Sequence, residues 1–313
     1  MGQRPHNRSG RRTWFRLTHL LVVLLTAISL IGVVSPAAGA DQADRPRGWY
    51  YGTDSYAPLV RGGRYPYLEP KVGGMYGSYG AEVGTWTDWM GCTRGYAIER
   101  GNVERVNRNN ERDRSVPGVQ YYWFAAGPGG DPHFNGRYGE AYSWGRRQAI
   151  RANSDYYALA RRGLFTKTRY IPIMFMDIES QPFAGYGNGW NEVVNRCGRI
   201  TRHRVIPVNI DRATFNGFTD YLRKHTIFHP GVYSIPSFWT QTFGTGSASR
   251  IPNIKQWTPV TSTPGARPRP RGYRQRNNNA YWFGGVLPAN AVAWQWTQNG
   301  GDYDQWDTAR LPR

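Results

Sequence analysis

One apolar run constrains the fold of this chain more than any other feature. Residues 170–176 (YIPIMFM) are almost continuously hydrophobic, and the acids Asp177 and Glu179 follow directly. Alternating hydrophobicity is typical of a strand with one solvated face, whereas a continuous run indicates a strand buried on both faces, as in a parallel sheet. The run therefore predicts a central strand of an α/β protein.

Further segments alternate between strand and helix patterns, as a parallel α/β protein requires. Residues 119–125 (VQYYWFA) predict a strand between a Pro-Gly pair and a glycine-rich turn. Residues 138–162 predict a long helix, because small and apolar side chains recur there at three- and four-residue steps. The small residues at its start indicate close packing against a sheet.

A second amphipathic helix is predicted over residues 212–225, with Asp211 as its N-cap. Residues 231–234 (GVYS) follow it as a strand, and an additional excursion is expected within residues 185–209. Strand–helix alternation over this length favours one domain, residues 41–313. The predicted fold is an α/β (β/α)8 TIM-like barrel with irregular or missing outer helices.

The first 40 residues have the three parts of a secretory signal peptide. Five arginines and no acid precede an apolar run of about 15 residues, and the small residues Ala38-Gly39-Ala40 follow it. That run is shorter than the roughly 20 residues of a membrane-spanning helix. We expect cleavage after Ala40 and a secreted or cell-wall-associated protein. An uncleaved anchor is the alternative, and Arg11-Arg12 leaves the twin-arginine export route open.

The chain is strongly basic, with a formal net charge of +19. Loss of residues 1–40 would remove five arginines and leave about +14. In an exported monomer this charge favours polyanionic envelope polymers over nucleic acid as partners, although it also fits a role in solubility alone. The histidines lack zinc-ligand spacing, and no phosphate-binding loop or serine nucleophile elbow occurs, so we expect no cofactor and no metal.

The chain contains two cysteines, Cys92 and Cys197. An even number in an oxidising compartment favours one disulfide that closes a long loop. The sequence does not show whether the two residues approach each other closely enough to pair. Their number excludes a metal site built from cysteines alone.

Two carboxylates stand at the end of the apolar strand, where barrel enzymes have their active sites. Asp177 and Glu179 are two residues apart, so their side chains project from the same face of a strand. Like charges in a partly desolvated place raise a pKa, so that one carboxyl stays protonated as a general acid while another is ionised. Hydrolysis of a glycosidic bond needs one protonated and one ionised carboxyl in this way. The alternative is a structural pair that caps the strand and binds arginines.

Three more acids lie at the ends of the first and last predicted strands. Asp54 ends the first strand, and Asp302 and Asp304 follow the last. Because these two strands are neighbours in a closed barrel, the acids are expected near Asp177. Each acid alone also fits a turn, where Asp is common.

Aromatic residues make up 15% of the chain, enough to supply both a core and a sugar-binding surface. Trp and Tyr stack on sugar rings because they combine an apolar face with a polar edge. Most of these residues are expected in the core. The aromatic residues near strand ends, which we predict as substrate contacts, are Tyr51, Trp123, Tyr233, Trp239, Trp294 and Trp296.

Four short segments stand out at the ends of the predicted strands. They are residues 52–56 (GTDSY), 176–179 (MDIE), 231–234 (GVYS) followed by Phe238-Trp239, and 294–304 (WQWTQNGGDYD). These segments resemble motifs of the glycoside hydrolase family 25 muramidases and occur in the same order. Two others, residues 141–149 (AYSWGRRQA) and 283–285 (FGG), are more similar to uncharacterised secreted bacterial proteins of the same glycoside-hydrolase-like superfamily. Residues 58–80 match nothing in the muramidases.

The resemblance implies a TIM-like barrel of the muramidase type that acts on the glycan of peptidoglycan. Glu179 would be the general acid, and Asp177 would orient or stabilise the reacting sugar. Asp54 and Asp304 would complete the acidic cleft. Asp302 competes with Asp304 for the last position, because the Asp-Tyr-Asp spacing leaves the alignment ambiguous.

Two functions from different classes follow. The first is a secreted glycoside hydrolase that cleaves cell-wall peptidoglycan, and the second is a non-catalytic cell-wall or carbohydrate-binding protein on the same barrel. Acids around one open cleft favour the enzyme, whereas acids paired with arginines or buried under a loop favour the binding protein. A third interpretation, a nuclease or phosphoesterase, requires three carboxylates around one divalent cation.

Overall fold

The structure is a computed structural model, and all the residues that it describes lie within one compact unit, Arg45–Arg313. The predicted signal peptide lies outside the described residues. None of the helices described is both long enough and apolar enough to cross a membrane. The described residues are 49–54, 76–92, 100–181, 183–203, 205–245, 251, 253–259, 283, 290–298 and 301–313.

Eight of the described strands form a closed barrel in the order β1-β10-β9-β8-β7-β4-β3-β2, and a separate short pair, β5–β6, forms a hairpin. The predicted central strand is β4, which lies between β3 and β7 and pairs parallel with both. The predicted TIM-like barrel is thereby confirmed. In chain order the strands are β1 (Trp49–Asp54), β2 (Tyr76–Thr85), β3 (Gly118–Phe124), β4 (Ile173–Asp177), β5 (Val193–Val194), β6 (Ile200–Arg202), β7 (His229–Tyr233), β8 (Lys255–Pro259), β9 (Ala291–Gln298) and β10 (Gly301–Asp307).

The last strand closes the barrel in an unusual sense. β10 pairs antiparallel with both β9 and β1, whereas the other neighbouring strands of the barrel are parallel. In this register Asp304 lies opposite Gly52 of β1 and Gln295 of β9. The carboxyl ends of β1 and β9 therefore lie beside the amino end of β10, and Asp304 lies level with residues just before those ends.

The interior of the barrel is built from aromatic rings around Trp257 of β8. Four rings pack edge-on or tilted against it, with ring centroids 4.9–5.9 Å from the Trp257 centroid. Such arrangements are favoured by the aromatic quadrupole. Gly80 of β2 makes room for this ring, because a Cβ on Gly80 would lie 2.9 Å from Trp257 Cη2. The four packed rings are Tyr122, Phe175, Tyr233 and Trp306.

The helices lie outside the barrel and bury one apolar face each. The predicted helix over residues 138–162 is observed over 138–161. The second predicted helix begins earlier, at Val208, after Pro207 with φ of −62°. The prediction of Asp211 as its N-cap is wrong, because Asp211 lies inside the first turn and is fully buried. The helices are α1 (Trp86–Trp89), α2 (Arg100–Arg112), α3 (Tyr138–Arg161), α4 (Val208–His225) and α5 (Pro236–Phe243).

The small residues of α3 serve contact with α4 rather than with the sheet. A Cβ on Gly145 would lie 1.8 Å from the carbonyl oxygen of Thr214, and a Cβ on Gly217 would lie 2.0 Å from that of Tyr142. Backbone atoms therefore touch at the crossing, and Thr214 Oγ1 donates a hydrogen bond of 3.0 Å to the carbonyl of Ala141. The expected close packing occurs, but its partner is a helix.

We predict that Gly145→Ala lowers the free energy of unfolding by about 1–3 kcal/mol, because the new methyl group must push two helix backbones apart. Urea denaturation would measure the loss. Gly139→Ala in the first turn of the same helix is the control, since nothing lies within 4 Å of its Cβ position. It should be neutral or stabilising, because alanine favours helix over glycine. Equal effects of the two substitutions would contradict the packing argument.

Candidate functional site

Buried acids gather where the parallel strands end. Asp54 is the last residue of β1, Asp177 is the last residue of β4, and Asp304 lies in β10; their side chains are 6%, 5% and 0% exposed. After burial and two other nearby charges, the charge of Asp54 also raises the pKa of Asp177, so the two carboxyls interact although their strands do not pair. Asp54 and Asp177 thus lie at the carboxyl ends of their strands, whereas Asp304 lies level with Gly52, two residues before the end of β1. We refer to the end of the barrel that carries Asp54, Asp177 and Glu179 as the acidic rim.

Two hydrogen bonds fix the orientation of Asp54. Gln295 Nε2 donates to Asp54 Oδ2 at 2.6 Å, and Tyr233 Oη donates to Gln295 Oε1 at 2.5 Å. The three residues come from β1, β9 and β7, so the chain of bonds spans the barrel. Tyr233, predicted as a sugar contact, is half-buried and positions Gln295. Gln295 was not predicted, although its place between two tryptophans on a strand leading to the rim was a usable signal.

Asp304 is held by the cluster of rings around Trp257, which we refer to as the aromatic floor. Trp257 Nε1 donates a hydrogen bond of 3.0 Å to Asp304 Oδ1, and both side chains are almost completely buried. An indole N–H normally finds a partner when it is buried, and a carboxyl requires one. Of the two competing acids, the structure therefore describes Asp304 as part of the interior. Asp302 lies in β10, but its side chain is outside the described residues.

Asp177 and Glu179 differ in their access to solvent. Asp177 is buried, whereas Glu179, two residues beyond, is half-buried. Burial raises the pKa of Asp177 well above its ordinary value, and the charges of Glu179, Glu82 and Asp54 raise it further. Within the described chain no cation pairs with Asp177, and its Oδ1 has no hydrogen-bond partner there. The carboxyl of Asp177 therefore takes up a proton readily.

Glu82 is a site residue that the sequence reasoning missed. It lies on β2 directly opposite Tyr122 of β3, is 5% exposed, and accepts a hydrogen bond from the Tyr122 side chain. Burial, followed by the charges of Asp88 and Glu179, raises the pKa of Glu82 to about 8. Its Oε1 has no partner among the described residues. The usable signal was a lone acid within an otherwise small and apolar segment, residues 76–85.

The loop after Glu179 is tied to the site by Asn188. Asn188 Nδ2 donates to the backbone carbonyl of Glu179 at 2.7 Å. Its Oδ1 accepts from Trp86 Nε1 at 3.3 Å and from Gln181 Nε2 at 2.8 Å. Asn188 is 1% exposed, so these bonds are protected from water. The backbone that carries Glu179 is thereby fixed from the side of α1.

A disulfide joins the same two regions covalently. Cys92, just after α1, and Cys197, in the turn between β5 and β6, are bonded, with their Cα atoms 5.3 Å apart. The expected disulfide is therefore present. The excursion predicted within residues 185–209 contains this β5–β6 hairpin.

Two predicted aromatic contacts lie away from the rim. Trp123 is fully buried and donates a 3.3 Å hydrogen bond from Nε1 to Gln148 Oε1 of α3. Trp239 is 1% exposed and packs on Phe215 of α4 and Phe283. Both fill the layer between barrel and helices. The backbones of the remaining predicted contacts lie in strands, but their side chains are outside the described residues; these are Tyr51, Trp294 and Trp296.

The third interpretation, a nuclease or phosphoesterase, requires three carboxylates around one divalent cation. Across the ranges that the structure describes, no group of three or more His, Cys, Asp or Glu side chains is arranged to hold a metal ion. The described acids include two buried carboxyls with raised pKa values, Asp177 and Glu82, and one partly accessible carboxyl, Glu179.

Solved structures similar to the chain are lysozymes and related wall-lytic proteins, in keeping with the predicted resemblance to the family 25 muramidases. The family GH25 lysozyme from Aspergillus fumigatus is 13% identical over 85% of this chain and 100% of that chain, with a TM-score of 0.44. The bacterial lysozyme from Streptomyces coelicolor is 17% identical over 84% and 94%, with a TM-score of 0.44. The modular autolysin LytC from Streptococcus pneumoniae, solved with a synthetic peptidoglycan ligand, is 11% identical over 83% of this chain, with a TM-score of 0.43.

The chain spans about half (47%) of the LytC structure that it matches. No protein-family model matches the chain, and no curated protein matches it. At these identities the similarity concerns the fold and does not establish an activity.

We predict that Glu82→Gln changes the dependence of stability on pH. With a pKa of about 8 when folded and an ordinary value of 4.5, Glu82 keeps in the folded state a proton that the unfolded chain loses. Stability of the unsubstituted protein is therefore lost as pH rises between these values, by about 1.4 kcal/mol per pH unit for this group. The variant lacks that loss, so its relative stability should increase toward pH 8, as measured by urea denaturation.

Glu140→Gln on the exposed surface of α3 is the matched control, and its pH dependence should follow that of the unsubstituted protein. Parallel curves for Glu82→Gln and the unsubstituted protein would mean that Glu82 is already ionised in the folded state.

We also predict that replacing both cysteines by serine destabilises the protein. The disulfide closes a loop across a sequence separation of 105 residues, for which the loop-entropy account gives about 4–5 kcal/mol. Urea denaturation of the Cys92→Ser/Cys197→Ser variant in non-reducing buffer would measure the loss. The unsubstituted protein with reductant should approach the same midpoint. An unchanged midpoint would mean that non-covalent contacts alone hold the hairpin.

Proposed function

We propose that the chain is a glycoside hydrolase that cleaves the glycan of bacterial cell-wall peptidoglycan. The observation that carries the proposal is the pairing of a buried carboxyl with a raised pKa, Asp177, and an accessible carboxyl two residues away, Glu179. Hydrolysis of a glycosidic bond requires a proton donor that reaches the substrate and a second carboxyl beside it. Support also comes from the position of both groups at the carboxyl end of barrel strands.

In the proposed mechanism Glu179 is the general acid. Its carboxyl gives its proton to the glycosidic oxygen, and the bond between that oxygen and the sugar C1 breaks. The oxygen of a water molecule adds to C1, and a carboxylate of the site takes up the proton that the water loses. The positive charge that develops on the sugar is stabilised by neighbouring carboxylates. Asp177 orients or stabilises the reacting sugar, and Asp54 and Asp304 complete the acidic cleft.

Glu82 has a role in this proposal through its charge state. Near neutral pH its carboxyl is uncharged, because its pKa is about 8. While Glu82 is uncharged, it adds no negative charge beside Asp177 and Glu179. Ionisation of Glu82 at higher pH adds that charge, which raises the pKa of Asp177 beyond the effect of burial and of Glu179.

The proposal includes export. Residues 1–40 act as a cleaved signal peptide, and residues 41–313 act outside the cytoplasm as a monomer in contact with the wall. The basic net charge of the chain, +19 before cleavage, supports contact with an anionic envelope.

A second candidate function is a non-catalytic cell-wall or carbohydrate-binding protein on the same barrel. The burial of Asp54, Asp177 and Asp304 favours it, because carboxyls that a substrate does not reach serve the structure alone. Asp177 argues against this second function, because it pairs with no cation among the described residues, although a structural carboxyl ordinarily has such a partner.

We predict that the full chain releases reducing sugar from purified peptidoglycan and that Glu179→Gln lowers the rate roughly 10²- to 10⁴-fold, the usual contribution of a general acid. The amide keeps the shape of the side chain but has no proton to give. Glu140→Gln is the control and should keep full activity, because this exposed carboxyl lies on α3 outside the acidic rim.

If the unsubstituted protein releases sugar and the Glu179→Gln variant releases it at the same rate, the general acid is a residue other than Glu179. No release from acidic to alkaline pH, with the protein still sedimenting with the wall, would reject the hydrolase and leave the binding protein.

A further inference from the structure

The hairpin that follows Glu179 is held more firmly than a surface loop usually is. We refer to residues 183–202 as the stapled hairpin. Gly187 N donates to the Gly198 carbonyl at 2.8 Å, and Ile200 N donates to that of Gly185 at 2.9 Å. The disulfide from Cys92 anchors its turn, and Asn188 joins it to the backbone of Glu179. The backbone of this hairpin is therefore held beside Glu179.

Two large aromatic side chains of the stapled hairpin are exposed. Phe183 is 67% exposed and Tyr186 is 47% exposed. Tyr186 N donates to the Phe183 carbonyl at 3.1 Å, so the two residues belong to one turn. Single exposed apolar residues are common, but two aromatic rings on one rigid turn form a small apolar patch. Such rings suit the apolar faces of sugars.

Three arginines on the same hairpin are also exposed. Arg196, Arg199 and Arg202 form no salt bridge with any described carboxylate. Arg199 forms an antiparallel bridge with Tyr186, so these two side chains stand side by side on one face. A guanidinium group binds a carboxylate through two parallel hydrogen bonds and is only weakly hydrated. The hairpin therefore combines aromatic rings with cations that are available to an anion.

The basic hairpin lies beside a group of acids. Burial raises the pKa of Asp177, and the charges of Glu179, Glu82 and Asp54 raise it further, so additional negative charge is disfavoured there. The carboxylates of a ligand would be repelled near these acids and attracted near the arginines. A chain of sugars can satisfy both, with an uncharged linkage at the rim and its acidic substituents at the hairpin.

We propose that the stapled hairpin is a binding site for a glycan chain that carries carboxylate groups, separate from the bond that is cleaved. The sugar rings stack on Phe183 and Tyr186, and the carboxylates bind Arg196, Arg199 and Arg202. That this glycan is also the molecule cleaved at Glu179 rests on the proposed function. The binding itself does not require cleavage.

The test is sedimentation of the full-length Glu179→Gln protein with purified peptidoglycan, so that cleavage does not disturb the measurement. Adding Arg196→Ala, Arg199→Ala and Arg202→Ala together should weaken binding roughly tenfold at low salt and reduce its salt dependence. The control removes the same charge from the exposed arginines of another surface, by Arg105→Ala, Arg112→Ala and Arg114→Ala, and should change binding much less.

A second arm separates sugar contact from charge. Phe183→Ala/Tyr186→Ala should weaken binding several-fold at any salt concentration, whereas Tyr157→Ala/Phe165→Ala, which removes two other exposed rings, should not. Amidation of the peptidoglycan carboxyls should weaken binding of the parent, the Glu179→Gln protein. It should not weaken binding of the variant that also lacks the three hairpin arginines. Unchanged melting temperatures would show that the variants are folded.

Equal binding by the two arginine variants, or no binding by the parent, would overturn the proposal. Absence of cleavage by the unsubstituted protein together with loss of binding in the hairpin variants would reject the hydrolase and leave the binding site established.

Discussion

The hydrogen bond from the Trp257 indole to Asp304 joins the two halves of the barrel interior, an aromatic floor and a rim of acids. The indole ring packs against rings from β3, β4, β7 and β10, so the floor cannot be rearranged without moving Trp257. Its N–H then sets the position of a carboxyl that has no access to water. The rigid floor thereby positions Asp304, while Gln295 holds Asp54 and Asn188 holds the backbone of Glu179.

Burying several carboxyls together is costly, and the barrel reduces that cost in three ways. It provides neutral donors, namely Gln295 for Asp54, Trp257 for Asp304 and the Tyr122 side chain for Glu82. It also lets protons remain on carboxyls that have no cation, since their raised pKa values keep them uncharged. Finally, it leaves Glu179 partly in water, where a carboxyl is less costly in either charge state. Proton affinity at the rim is thus a result of how the fold is stabilised.

The sequence predicted the parts of this arrangement that depend on local pattern. The apolar run before Asp177 identified β4, and the spacing of Asp177 and Glu179 identified the rim. The sequence did not reveal Glu82, because β2 contains many small residues and shows little periodicity. The ring that packs on β2 at Gly80 belongs to Trp257, which is far away in the chain. Nor did the sequence separate Trp123 and Trp239 from rim aromatics, since a tryptophan near a strand end faces either the helices or the cleft. Asp211 resembled an N-cap, but the helix begins before it, at Val208, after Pro207.

The pairing of the first strand with the last has a consequence for how the chain folds. Gln295 and Asp54 are 241 residues apart in sequence, and β1 finds its partner β10 only when the end of the chain is in place. Contacts of such long range are slow to form, because the chain loses the entropy of closing a long loop before the contact stabilises it. The acidic rim is therefore among the last features to be assembled. A chain released before its final strands would carry β4 and its acids, yet it would lack the side chains that hold Asp54 in register with them.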